Sequence, residues 1–349
     1  MNVDDIDTPA AVVDVERLES NLTRWQQYCD RHGLANRPHV KTHRCVEIAR
    51  RQLELGAVGV TCQKLGEAET MADAGCDDIL VAFNILGAAK LARLRELLDR
   101  VAVTVSVDDA ALLPGLAEAA SGAPRELGVL VDCDTGFGRT GVTSPEQAVT
   151  LALEVQKQRG LHFDGFLTFP VPDGVRAFLD DAVVTAGKHG LAPAVVSAGG
   201  TLSMWESARL RPTVTEYRAG TYVFNDRSTV GAGAAQLADV ALTVHATVVS
   251  RPASDRAVLD AGSKALSSDP GPDAGFGLVL EAPHSPIVRL SEEHAWVTLV
   301  DDDRLELGQV VRIVPNHVCV AVNLFDELQV ARRGRIETTW AVAARGRSQ

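Results

Sequence analysis

Along the first two-thirds of the chain, short apolar runs alternate with longer stretches whose apolar residues recur at helical spacing. The runs 37–40, 59–62, 78–83, 101–107, 127–133, 163–168, 194–198 and 215–220 read as strands. Two of them, Asp-Ile-Leu-Val-Ala-Phe (78–83) and Leu-Gly-Val-Leu-Val-Asp-Cys (127–133), are almost continuously apolar, as strands buried on both faces are. Helical patterns fill 44–55, 65–74, 88–98, 109–120, 145–159 and 174–189, and after the seventh run only the short stretch 202–208 remains. Eight strand–helix units over this length predict an α/β fold, a closed (β/α)8 barrel of the TIM type rather than an open sheet.

After residue 238 the texture changes. The stretches 240–250, 257–260, 286–290, 295–300, 310–314 and 320–324 are rich in Val and separated by Gly, Pro and Asp turns. They predict a C-terminal, mostly antiparallel β domain. The β-type run 10–15 precedes the barrel and joins that domain. The expected organisation is a barrel over 16–237 and a β domain over 238–349 with 1–15, without repeats beyond the βα unit.

Composition narrows the function classes. A net charge of -12 argues against a nucleic-acid binder, which presents a basic face. The acidic start has no apolar signal core, and no apolar run reaches the roughly 18 to 20 residues that span a bilayer. The six cysteines are scattered, which fits reduced thiols better than a disulfide framework. The expectation is a cytoplasmic protein with no membrane or nucleic-acid partner.

A barrel of this kind carries its chemistry at the C-terminal ends of the strands. The first strand ends in Arg-Pro-His-Val-Lys-Thr-His-Arg (37–44), and Lys41 is the only one of six lysines at a strand mouth. Neighbouring positive charge and burial lower an ammonium's pKa and give the neutral amine that a Schiff base needs. A surface lysine preceding a helix stays open as the plainer reading. The seventh strand ends in Ser197-Ala198-Gly199-Gly200-Thr201 and the eighth in Arg218-Ala219-Gly220-Thr221-Tyr222. Small residues with exposed N–H groups before a helix start make a phosphate cradle, commonly after strands seven and eight. The fifth strand runs into a glycine loop, Asp134-Thr135-Gly136-Phe137-Gly138-Arg139, from which Arg139 can reach a phenolate or a substrate carboxylate. In the β domain, His317 and Cys319 stand two apart and share a face if the segment is extended. Imidazole and thiolate are zinc-type donors; two of them suit an open, catalytic ion, and a packed structural pair is the competing reading.

These motifs resemble the D-threonine aldolase and D-serine dehydratase family. The likeness rests on Arg-Pro-His-Val-Lys-Thr-His (37–43), Thr-Cys-Gln-Lys-Leu-Gly-Glu-Ala-Glu (61–69), Asp-Thr-Gly-Phe-Gly-Arg (134–139) and Ser-Ala-Gly-Gly-Thr (197–201). Asp-Ala-Gly-Ser-Lys-Ala-Leu-Ser (260–267), Pro-Asn-His-Val-Cys (315–319) and Val-Asn-Leu-Phe-Asp-Glu (322–327) extend it over nearly the whole chain. The resemblance implies a fold-type III, alanine-racemase-like enzyme, a homodimer, with pyridoxal 5'-phosphate on Lys41 and a divalent metal, zinc ahead of Mn or Mg, on His317 and Cys319. His39 falls among the cofactor contacts. Arg139 is placed on the cofactor's phenolic oxygen. Ser197, Gly199, Gly200, Thr201, Gly220 and Thr221 are placed on its phosphate, Arg218 on the pyridine nitrogen and Tyr222 as a second contact.

Two departures bear on the reaction. Aldolase-like members carry Asp two residues after the ligand histidine and dehydratase-like members carry Cys, as here. The loop after the sixth strand, Leu167 to Asp173, has no histidine, where many aldolase relatives have a Tyr/His-bearing loop that can supply a base. Both lean toward dehydration of a D-3-hydroxyamino acid (D-serine, D-threonine or 3-hydroxy-D-aspartate) to a 2-oxo acid and ammonia. Retro-aldol cleavage to glycine and an aldehyde is the second expectation, and a non-catalytic pyridoxal-phosphate-binding protein the third.

Overall fold

The computed structural model describes residues 1–271, 275–300 and 302–349. The chain folds into two compact units, one of residues 25–41, 48–220 and 347–349, the other of 1–24, 42–47 and 221–346.

The first unit is built on eight parallel strands: Ala35–Asn36, Val60–Cys62, Asp78–Val81, Ala102–Val107, Leu127–Cys133, Leu161–Thr168, Val195–Gly199 and Glu216–Arg218. From Val60–Cys62 onward each pairs with the next, and Ala35–Asn36 pairs with Glu216–Arg218. The remaining gap is bridged where His39 meets Thr61, with Val58 N donating to Asn36 O and Thr61 N to Pro38 O. That is the closed α/β barrel expected from the pattern. The continuous run Leu127–Cys133 is buried at Leu127, Val129, Leu130 and Val131, as a strand with two covered faces must be. The helix Pro145–Gln156 shows how the alternation is punctuated: Ser144 caps it by accepting from Gln147 N, Pro145 opens it, and Ala148, Val149, Ala152 and Val155 line its buried side. After the seventh strand there is only the 3-10 segment Met204–Leu210.

The second unit holds a nine-stranded sheet in which every pairing is antiparallel except Ala10–Asp14 with Glu327–Arg332. Its long strand Leu242–Ala253 turns Val244, Ala246 and Val248 into a core with Ala257, Leu259, Val311 and Ile313. A smaller cluster of Ile6, Val12 and Ala331 lies apart from it.

Three expectations need correction. The first barrel strand is Ala35–Asn36, not 37–40; Pro38 has no N–H to add to a ladder, and Val40–Thr42 closes into a 3-10 turn that carries Lys41. The segment 320–324 is not a strand. Val318–Val322 is one helical turn burying Val318, Ala321 and Val322, an i, i+3, i+4 set that five mostly β-branched residues disguise as alternation. The strands Glu327–Arg332 and Arg335–Ala341 and the helix Val15–His32 are elements that the sequence pattern did not predict. That helix buries Leu18, Leu22, Trp25 and Cys29, and Asp14 caps it through Glu16 N and Arg17 N. Among the described residues no helix is long and apolar enough to cross a membrane.

Candidate active site

In the barrel unit, Lys41 sits at the mouth of the first strand. Its Nζ lies 3.4 Å from Gln63 Oε1, and the same oxygen is 3.2 Å from His39 Nε2. Gln63 is itself fixed, donating through Nε2 to Ala82 O and through its backbone N to Glu67 Oε2. His39 is buried, and burial first, then the charges of Lys41 and Arg218, hold its pKa well below the usual imidazole value, so the ring is neutral. Lys41 Nζ stands 5.8 Å from the centre of the Phe169 ring and Arg139 Cζ 5.0 Å from it, so one aromatic ring gathers the lysine and the arginine. The Arg139 loop is shaped by Asp134, whose carboxylate accepts from the N–H groups of Gly136, Phe137 and Gly138.

The turn after the seventh strand is tightly specified. Gly200 has φ +127°, a conformation L side chains rarely adopt. A Cβ on Gly199 would meet the Arg218 carbonyl oxygen at 2.9 Å. The Tyr217 hydroxyl donates to Gly200 O at 2.9 Å and lies 3.0 Å from Ser203 Oγ, and Thr201 Oγ1 accepts from Gly220 N at 3.3 Å.

Ser197 and Arg218 lie deeper than a phosphate cradle requires. The fully buried Ser197 hydroxyl donates to Glu216 Oε1 at 2.5 Å and accepts from Arg218 Nη1 at 2.6 Å. Arg218 Nη2 donates to Thr168 O at 3.0 Å, and burial draws its pKa down to about 10 against the opposing charges of Glu216 and Asp132. Glu216 also takes Arg37 Nε, which joins Asp78, so Ser197 belongs to a chain of ion pairs inside the barrel.

In the β unit, His317 and Cys319 meet, by a route other than extended backbone. His317 is the extended residue before the helical turn (φ -138°, ψ 98°) and Cys319 lies within that turn. The hydrogen bond to Cys319 is the main cause raising the His317 pKa to about 9. For Cys319, burial alone would raise the pKa, but the bond to His317, the imidazolium charge, and the hydroxyls of Thr42 and Thr221 outweigh it and lower the value. Thr42 Oγ1 lies 3.2 Å from Cys319 Sγ and Thr221 Oγ1 3.7 Å. Behind the imidazole, His317 Nδ1 is 3.0 Å from Asp269 Oδ2. Tyr222 is buried on the 3-10 turn Thr221–Val223.

The Cys319 thiol, its pKa lowered, and the His317 imidazole, with Asp269 behind its ring, are two donors of a kind that fits a divalent ion. Among the described residues no group of three His, Cys, Asp or Glu is placed to hold one, so further positions would fall to water or substrate. Lys41 beside Gln63, Arg139 on the shared ring and the glycine turn after the seventh strand fit a phosphorylated aldehyde. Gln63, Phe169, Thr42 and Asp269 were not singled out from the sequence. Gln63 lies inside the motif 61–69, Thr42 inside the motif 37–43 and Phe169 inside the loop 167–173, whereas Asp269 lies outside every motif.

Comparison with known proteins agrees with this geometry. Residues 13–228 match the family model described as alanine racemase, N-terminal domain, and residues 241–331 the one described as putative serine dehydratase domain. The chain is 36% identical to a D-threonine aldolase of Arthrobacter sp over 362 residues, 99% of this chain and 94% of that protein. It is 32% identical to a D-threo-3-hydroxyaspartate dehydratase of Delftia sp. over 368 residues, 95% of this chain and 96% of that one. The crystal structure of D-threonine aldolase from Filomicrobium marinum superposes with a TM-score of 0.91 at 32% identity, covering 100% of this chain and 98% of that one. The chain belongs to the D-threonine aldolase and D-serine dehydratase family, within the alanine-racemase-like, pyridoxal-phosphate-dependent fold-type III proteins.

Proposed function

We propose that this chain is a lyase of D-3-hydroxyamino acids that uses pyridoxal phosphate and a divalent metal, zinc by its donor set, to convert D-serine, D-threonine or 3-hydroxy-D-aspartate to a 2-oxo acid and ammonia. The observation that carries dehydration is Cys319, a thiol held toward thiolate by His317 and Thr42, standing where aldolase-like relatives have a carboxylate. Bound pyridoxal phosphate supplies an electron sink for charge at Cα, and the ion supplies Lewis acidity for the β-hydroxyl.

The chain's own residues then have distinct tasks. The Lys41 amine anchors the cofactor and, once free, takes the proton from Cα. Gln63 Oε1 fixes the direction of that amine. In the barrel unit Arg139, Gly199, Gly200, Thr201 and Gly220 would hold the cofactor, and the family resemblance adds Thr221 and Tyr222 to that set. Ser197 serves by orienting Arg218, which faces the pyridine nitrogen in this reading. His317 and Cys319 donate to the metal. The products of this dehydration would be the 2-oxo acid and ammonia.

A second reading is retro-aldol cleavage, favoured by the 36% identity to a D-threonine aldolase. The products formed from D-threonine separate the two: 2-oxobutanoate with ammonia, or glycine with acetaldehyde. The proposal includes a homodimer, in keeping with the family resemblance, and a cytoplasmic setting, supported by six cysteines outside any disulfide.

A further inference from the structure

The backbone on both sides of His317 is tied down. In the β unit three consecutive residues, Asp226, Arg227 and Ser228, run against the stretch 315–318. Arg227 N donates to Pro315 O at 3.1 Å, Ser228 Oγ to Asn316 O at 2.8 Å, and Val318 N to Asp226 Oδ2 at 3.0 Å. The last two bonds hold the peptide groups that flank His317. The Val318 bond also falls between the two candidate metal donors, on the first residue of the helical turn that carries Cys319.

Asp226 is only 1% exposed and already caps its own helical turn, Arg227–Gly231, where its Oδ1 accepts from Thr229 N at 2.9 Å. Asn or Ser caps a helix about as well as Asp, without burying a charge. Neither offers two acceptor oxygens or a negative charge. Here the second oxygen reaches the metal-site turn, and the charge reaches His317. Burial raises the Asp226 pKa, and the Val318 and Thr229 N–H groups and the His317 charge oppose that rise. A cation held by His317 and Cys319 gains from the same carboxylate. Asp269, behind the ring, acts on the imidazole alone, whereas Asp226 acts on the backbone that sets Cys319 against it.

We infer that Asp226 is a positioning residue for the metal pair. It holds the backbone between His317 and Cys319 through Val318 N and supplies a buried negative charge that favours a dication there. This rests on the reading that His317 and Cys319 hold a divalent metal.

The test uses the cofactor-loaded enzyme stripped of metal. Chelator competition reads zinc affinity, and the absorbance of added Co2+ reads the thiolate–metal bond. Asp226→Asn and Asp226→Ser each keep a cap on Arg227–Gly231 and are expected to bind zinc roughly 10–100-fold more weakly. Their cobalt–thiolate band is expected to weaken or move. Thr229→Val removes the reciprocal half of that cap, the bond from Asp226 N to Thr229 Oγ1, and leaves the carboxylate in place. It is expected to melt at lower temperature yet bind zinc as the parent does, which separates positioning from a general loss of stability. Parent-like zinc affinity and cobalt band in either Asp226 variant overturn the inference, as does an equal loss of affinity in Thr229→Val. A parent that binds no zinc, or a Cys319→Ala enzyme that binds it as the parent does, removes the reading of the metal pair and the inference with it.

Discussion

His317 Nδ1 lies 3.0 Å from Asp269 Oδ2, while the same imidazole is hydrogen-bonded to Cys319. A carboxylate behind a ligating histidine fixes its tautomer and the direction of its free nitrogen. Asp269→Asn is therefore expected to weaken metal affinity by roughly 10–100-fold with the fold intact. Competition with a fluorescent zinc chelator, alongside circular dichroism, measures both. Unchanged affinity removes Asp269 from the metal site.

Cys319→Ala takes away one of the two protein donors. Elimination is expected to fall by roughly 10²-fold or more, a loss typical of removing a group that stabilises developing charge. The visible band of the lysine-bound cofactor is expected to persist, whereas Lys41→Ala is expected to lose it. Full activity of Cys319→Ala in the presence of chelator contradicts the metal's role.

Tyr217 ties the glycine turn to the barrel. Its buried ring packs edge-on to Trp25, and its hydroxyl bonds Gly200 O. Burial is the main cause raising its pKa to about 12 from 10.0. With the folded value above the unfolded one, this contribution is complete below pH 10 and is lost as pH rises toward 12. A shift of that size corresponds to on the order of 2–3 kcal/mol. Chemical denaturation across that alkaline window is expected to show stability falling in the parent and a flatter profile in Tyr217→Phe. The same variant, with its turn loosened, is expected to bind pyridoxal phosphate several-fold more weakly, a hydrogen bond's worth of about 1 kcal/mol. Equal slopes and equal cofactor affinity contradict the assignment.

The barrel was legible because strands such as 127–133 are buried on both faces and the helix 145–156 carries a Ser-Pro start, so both declare themselves locally. The turn Val318–Val322 was not, since Val-Cys-Val-Ala-Val has strand-forming side chains and only its neighbours make it helical. The helix Val15–His32 hides its stripe, Leu18, Leu22, Trp25 and Cys29, among charged and amide side chains such as Glu19, Arg24 and Gln27. At the site, lysine, histidine and cysteine stand out because few residue types do their chemistry. Asp269 stands 48 positions from His317, and Gln63 and Thr42 are common residue types whose roles exist only through contacts. Ser197 was read as a phosphate ligand from its place in a Ser-Ala-Gly-Gly-Thr turn. The inward face of a strand, which the motif cannot reveal, commits its hydroxyl to Glu216 and Arg218.

The most direct test is product analysis of the purified holoenzyme with D-threonine, run with and without chelator. Ammonia and 2-oxobutanoate in equal amounts, lost on chelation and restored by zinc, are the predicted result. Glycine and acetaldehyde instead would contradict the reading of Cys319 and make the enzyme an aldolase.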